Sequence, residues 1–150
     1  MKVGNPKLIL DPYDWLPSDG ESSISFRSNL DDVIIEIFYE NKITALDIDN
    51  EDVLLSKREL TFKRVAYFIK GKIPGTNFFE YDEKSLNFVI GTLTEFLYSE
   101  FAKNSMEIYY RVSNHAAPDM RHFSIQFMSA NINFDILAEE VYLSEELPIT

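Results

Sequence analysis

The chain has no cysteine. That absence excludes a disulfide framework and a thiolate zinc site, and a reducing, cytoplasmic setting is the expectation that goes with it. No run approaches the roughly 20 consecutive apolar residues of a membrane-spanning helix, so no membrane role is expected. The opening MKVGNPKLILDPYDW carries a short apolar piece, Leu8, Ile9 and Leu10, then acid and proline. It lacks the apolar centre of a secretory signal. Glycines number five and are scattered, which leaves no GxGxxG or Walker loop to cradle a phosphate. Bases are scarce: 14 stand against 25 acids, for a net charge of −11. A polyanion is repelled at long range by such a chain, so nucleic acid and anionic membrane are not the expected partners.

What is present suits one domain, 1–150. Of the 150 residues, 45% are hydrophobic and 14% aromatic, enough to bury a core. Residues 1–21 hold Pro6, Pro12, Pro17, Gly4 and Gly20 and read as an irregular N-terminal arm. Within it, DPYDWLPSD contains the lone tryptophan, Trp15, beside Tyr13. Trp15 suits a plug at the core edge or, with Tyr13, an aromatic anchor for a partner.

Strand patterns follow. Ser23–Ser28 alternates, Val33–Glu40 reads VIIEIFYE, and Ile43–Asp49 reads ITALDID after a turn at Asn41-Lys42. Glu59–Lys70 reads as one long strand, so the first half is an antiparallel meander. At Ser85–Lys103 the period changes: Leu86, Ile90, Leu93, Leu97 and Phe101 form a helical stripe, with a strand at Leu86–Ile90 and a shorter helix as the alternative. Met106–Ser113, Arg121–Ser129 and Ile132–Leu143 alternate again. The last slips phase at Glu139-Glu140, which suggests a bulge. The expected fold is α+β: antiparallel sheet of about seven strands, in one or two layers, packed on one main helix at 85–103.

The search for chemistry finds no catalytic set. NHAAPDMRHF (114–123) holds both histidines, His115 and His122, with Asp119 between them. Two histidines and an aspartate are a possible metal set, but AAPD offers no orienting partner. The stretch reads as a hairpin connection, with His122 out of phase with Phe123 and Ile125 and therefore pointing away from the core. DIDNED (47–52) resembles a calcium loop, yet Asp52 and Arg58 fall where glycine and glutamate are needed. Asp31-Asp32 and Glu139-Glu140 are adjacent and point to opposite faces of a strand. Glu36 and Glu40 share a face but stand roughly 13 Å apart, too far for one water. There is no GxSxG, and neither histidine has a serine at a telling spacing. KRELTFKRVAYFIKGK (57–72) sets aromatics between bases, but its charges alternate between faces. No enzyme activity, metal or cofactor is expected.

Charge is the remaining signal. Between Asp31 and Asp52 lie eight acids and one base, Lys42, and 131–150 holds five acids and no base. An acidic face of this kind attracts a basic protein. The expected partner-binding residues are Asp31, Asp32, Glu36, Glu40, Asp47, Asp49, Glu51 and Asp52, with Tyr13 and Trp15 as anchors. Alternation allows only some of them to share a face.

A small, acidic, cysteine-free chain with aromatic strands around one helix, and stretches such as FFEYDEKS (78–85) and RHFSIQFMSANINFDILAEEVYL (121–143), resembles the immunity proteins of bacterial toxin systems such as contact-dependent inhibition. The resemblance is one of type and carries over no residue role. It implies a non-enzymatic inhibitor that binds and masks a cognate, often basic, toxin. Two other readings remain open: a ligand-binding or enzymatic domain with a pocket between sheet and helix, lined by Tyr67, Tyr98 or Tyr110, and a self-assembling component that pairs through an edge strand such as Ser23–Ser28.

Overall fold

The structure is a computed structural model that describes residues 1–41, 54–73, 78–81, 88–113 and 119–149. They form eleven strands and one α-helix, a mixed α+β architecture. The strands are β1 (Lys2–Leu10), β2 (Ser23–Asn29), β3 (Asp32–Asn41), β4 (Leu54–Lys63), β5 (Tyr67–Lys72), β6 (Glu80–Tyr81), β7 (Leu93–Ser99), β8 (Arg121–Phe127), β9 (Ile132–Ala138), β10 (Glu140–Leu143) and β11 (Leu147–Pro148). The helix α1 spans Glu100–Val112. A six-stranded sheet runs β5-β9-β8-β7-β1-β6, and a five-stranded sheet runs β10-β4-β3-β2 with β11 also on β4.

The expected meander is the five-stranded sheet. In β3, Val33, Ile35, Ile37 and Tyr39 are buried while their neighbours alternate toward the outer face. That inner face packs on the six-stranded sheet: Ile35, Ile37, Leu60 and Phe62 meet Phe123, Ile125, Phe134 and Ile136 in one core. The other face of the six-stranded sheet is also covered. There Val3, Phe96 and Leu137 pack with Phe101 and Ala102 of α1. Burial on both faces explains why β8 and β9 are buried at nearly every position.

Several expectations need correction. Residues 1–21 are not irregular throughout, because β1 pairs antiparallel with β7 and, at Lys2 and Val3, parallel with β6. Its Pro6 lies beyond the stretch that β6 pairs, where a sheet edge tolerates proline. The helix lies at 100–112, not 85–103. Leu93 and Phe96 are buried in strand β7, and Ser99 then caps α1 by accepting the Ala102 N–H at 3.1 Å. Met106–Ser113 is consequently helix apart from Ser113, and its apparent alternation leaves Ile108, Tyr110 and Val112 exposed. The count of about seven strands was low.

Glu59–Lys70 is two strands in two sheets. The chain leaves β4 at Arg64, whose φ is +51°, and joins the other sheet through the Ala66 N–H on the Leu137 carbonyl at 2.8 Å. The slip at Glu139 is the same event in reverse. There β9 ends in the six-stranded sheet and β10 begins in the five-stranded one. Both strands change sheets at one corner, and the Arg64 and Glu139 side chains form an ion pair there. The proposed strand at Ile43–Asp49 lies outside the described residues.

Candidate partner-binding surface

Asp32 and Glu36 stand on the outer face of the five-stranded sheet, and both are neutralised. Glu36 lies directly opposite Glu59 in the β3–β4 register, a like-charge pair that repels if left alone. Two bases bridge it. Lys57 Nζ is 3.0 Å from Glu36 and 3.1 Å from Glu59, and Arg27 reaches Glu36 at 2.7 Å and Glu59 at 3.6 Å. The hydrogen bond from Lys57 holds the Glu36 carboxyl below its usual range, and the same bond raises Lys57. Asp32 accepts from Lys63 Nζ at 2.8 Å, which lowers its pKa in the same way. Asp31 sits at the β2–β3 turn, in a shallow depression with Lys63 and Arg64. These residues form a mixed-charge face rather than an acidic one.

Glu40 lies at the far end of β3, about 27 Å from Asp32 at strand rise. Its surroundings differ. The chain after β1 makes a short 3-10 turn, Pro12–Asp14, capped by the Asp11 carboxylate on the Tyr13 N–H at 3.0 Å. This turn lays Leu16 and Trp15 against the inter-sheet core. The Trp15 ring centroid is 5.3 Å from that of Tyr39, and the Arg58 guanidinium lies 5.1 Å over the Trp15 ring. Tyr39 donates its hydroxyl to Glu146 at 2.6 Å, and Asn41 donates to the same carboxylate at 3.1 Å. Burial, then the Glu146 bond, raises the Tyr39 pKa.

A hollow of about 320 Å³ opens here, lined by Trp15, Pro17, Asp19, Tyr39 and Glu40 among others, and a second of about 180 Å³ adjoins it with Asp19, Glu21 and Glu40. No lysine or arginine is among the described residues lining either. Asn41 pairs with Leu54 at this end, and residues 42–53 lie between them in sequence. Asp47, Asp49, Glu51 and Asp52 belong to that segment and lie outside the described residues. Tyr13 is 44% exposed and packs beside Gly20 and Gly91. Of the expected partner residues, then, the fold brings Trp15 and Glu40 together. It holds Asp31 and Asp32 at the opposite end and ties Glu36 into a salt-bridge network.

His122 is a further correction. It does point to the face opposite Phe123 and Ile125, but α1 covers that face, and the residue is 1% exposed. Its Nε2 is 2.8 Å from Asp135 Oδ1 and its Nδ1 is 2.8 Å from Ser99 Oγ. Asp135 also accepts from Asn133 at 3.0 Å, and Asn133 in turn accepts from Gln126 at 2.9 Å. No buried side-chain polar atom lacks a partner among the described residues. Beside this chain lies a cleft of about 480 Å³ between α1 and the sheet. Tyr110 of α1 lines it, while Tyr67 packs on Phe101. Arg121 spans its rim in a two-pronged pair with Glu95, at 2.7 and 3.0 Å. Sequence reasoning passed over Ser99 and Asp135. The available signal was an acid inside INFDILA, an otherwise apolar strand where a carboxylate needs a buried partner. His115 lies outside the described residues.

No helix among the described residues is long and apolar enough to cross a membrane. No family model, no curated protein and no solved structure matches the chain.

Proposed function

We propose that the chain is a protein-binding domain that docks a basic protein at the Trp15–Glu40 end of the two-sheet stack, in the manner of an immunity protein that masks a cognate toxin. The carrying observation is the paired hollow lined by Trp15, Tyr39, Asp19, Glu21 and Glu40, with no base among its described lining residues. A lysine or arginine side chain from a partner is drawn to such a site by the Asp19 and Glu40 carboxylates, next to a Trp15 ring on which Arg58 already lies. Masking of this kind makes and breaks no bond. Charge reversal at Asp19 and Glu40, with association measured against ionic strength, is the experiment that tests it.

A further inference from the structure

The chain Ser99–His122–Asp135 has the donor order of an activated nucleophile. Asp135 Oδ2 accepts from the Asn133 amide, and its Oδ1 faces His122 Nε2. Against an ionised carboxylate, which only accepts, Nε2 carries the proton, and in a neutral imidazole this leaves Nδ1 as the lone pair. Ser99 Oγ already accepts from the Ala102 N–H. Its own hydrogen is left to donate to His122 Nδ1 at 2.8 Å. The imidazole is fenced by Phe79, Phe96 and Phe101, with ring centroids at 5.0, 5.2 and 5.5 Å, which fixes its plane and keeps water from its flanks.

Two features bear on access. Ser99 lines the 480 Å³ cleft under α1 and is only partly buried, while the His122 ring behind it is enclosed. Ser99 is also the N-cap of a 13-residue helix. The Ala102 N–H is taken by Ser99 Oγ itself. The positive end of the helix dipole lies at Ser99 and favours negative charge that develops there. Phe96, Met106 and Met120 give the cleft an apolar floor.

We propose that Ser99 is a nucleophile for acyl transfer, with His122 as its general base and Asp135 as the positioning residue, acting on a small uncharged ester held in this cleft. This activity goes beyond partner binding and uses a different part of the fold. Ser99 Oγ forms a bond to the ester carbonyl carbon while its proton passes to His122 Nδ1. The carbon–oxygen bond to the alcohol then breaks, and the leaving oxygen takes that proton. Water next attacks the acyl group on Ser99 and gives a proton to Nδ1. The acid leaves as the proton returns to Ser99 Oγ. The sum is ester plus water to acid plus alcohol.

The test uses the full chain, a fluorophosphonate probe and p-nitrophenyl acetate, with the labelled peptide located by mass spectrometry. Ser99→Gly removes Oγ at an N-cap position that tolerates glycine, and circular dichroism verifies that the variant is folded before it is assayed. Asp135→Asn keeps the shape. Its amide oxygen is drawn toward Asn133, which turns an N–H toward Nε2 and deprives Nδ1 of its role as base. The expected result is a single adduct on Ser99 and ester turnover, both abolished in S99G and slowed roughly 100-fold or more in D135N. A folded wild-type chain that takes no adduct would overturn the proposal. So would an adduct elsewhere than Ser99, or an unchanged labelling rate in D135N.

Discussion

Trp15 packs its ring 5.3 Å from that of Tyr39, and Tyr39 hands its hydroxyl to Glu146. The pair joins the chain's only tryptophan, a central strand and the C-terminal segment at one end of the stack. Trp15 therefore has two duties: it closes the core edge and forms a wall of the acidic hollow. Trp15→Ala should lower stability by about 2 kcal/mol, below the cost of a fully buried tryptophan. It should also speed partner release more than it slows association. Urea unfolding and surface-based dissociation rates check the two effects separately.

Asp19→Lys combined with Glu40→Lys reverses the charge of the hollow. Association with a basic partner should slow at least about tenfold near 50 mM salt and much less near 500 mM, where screening shortens the reach of charge. Glu36→Gln is the control, since that carboxylate is already spent on Lys57 and Arg27. It should leave the association rate unchanged.

The Glu36 and Asp32 carboxyls titrate below their usual ranges because Lys57 and Lys63 hold their charged forms. A depressed folded pKa gives stability that is present above the unfolded value and is lost as pH falls through the folded one. Both contributions should thus be complete near neutrality and fade below about pH 4. Glu36→Gln should destabilise the protein at pH 7, and the difference should shrink as pH falls below about 4 and the Glu36 carboxyl takes up its proton. Thermal melts of the two proteins across that range measure it.

Phe62 of one sheet meets Phe123 of the other with ring centroids 5.8 Å apart, and both are fully buried. Phe62→Ala should cost about 3–5 kcal/mol, because the two sheets share this core and close poorly on the space left behind. Leu8→Ala, at a side chain 62% exposed, should cost far less. Denaturant midpoints distinguish the two.

The antiparallel meander was legible because β3 is wet on one face, so VIIEIFYE alternates in step with burial. Where both faces are covered, that code fails. Leu93–Ser99 carries apolar residues at helix-like spacing and is nevertheless a strand under α1. Met106–Ser113 alternates by accident of composition, and the better signal was Ser99 set before Ala102 and Lys103, a cap ahead of strong helix formers. The two sheet changes read as one long strand and one bulge, because local pattern records phase and is silent on which sheet a strand joins. The acid run 31–52 was legible as composition but not as a surface. Register sets Glu36 against Glu59 and brings bases between them, and strand length carries Asp32 and Glu40 to opposite ends. His122, Ser99 and Asp135 lie far apart in sequence and meet only through the β7–β8–β9 ladder and the start of α1.

The most direct measurement is affinity capture from the native cells with the wild-type chain, with Asp19→Lys/Glu40→Lys, and with Glu36→Gln, each quantified by mass spectrometry. One basic protein should be retained at near-equal amount by the wild type and by Glu36→Gln, survive moderate salt, and be lost from the double variant. An equal yield on all three baits would contradict binding at the Trp15–Glu40 end. A wild-type bait that captures nothing would contradict the partner itself.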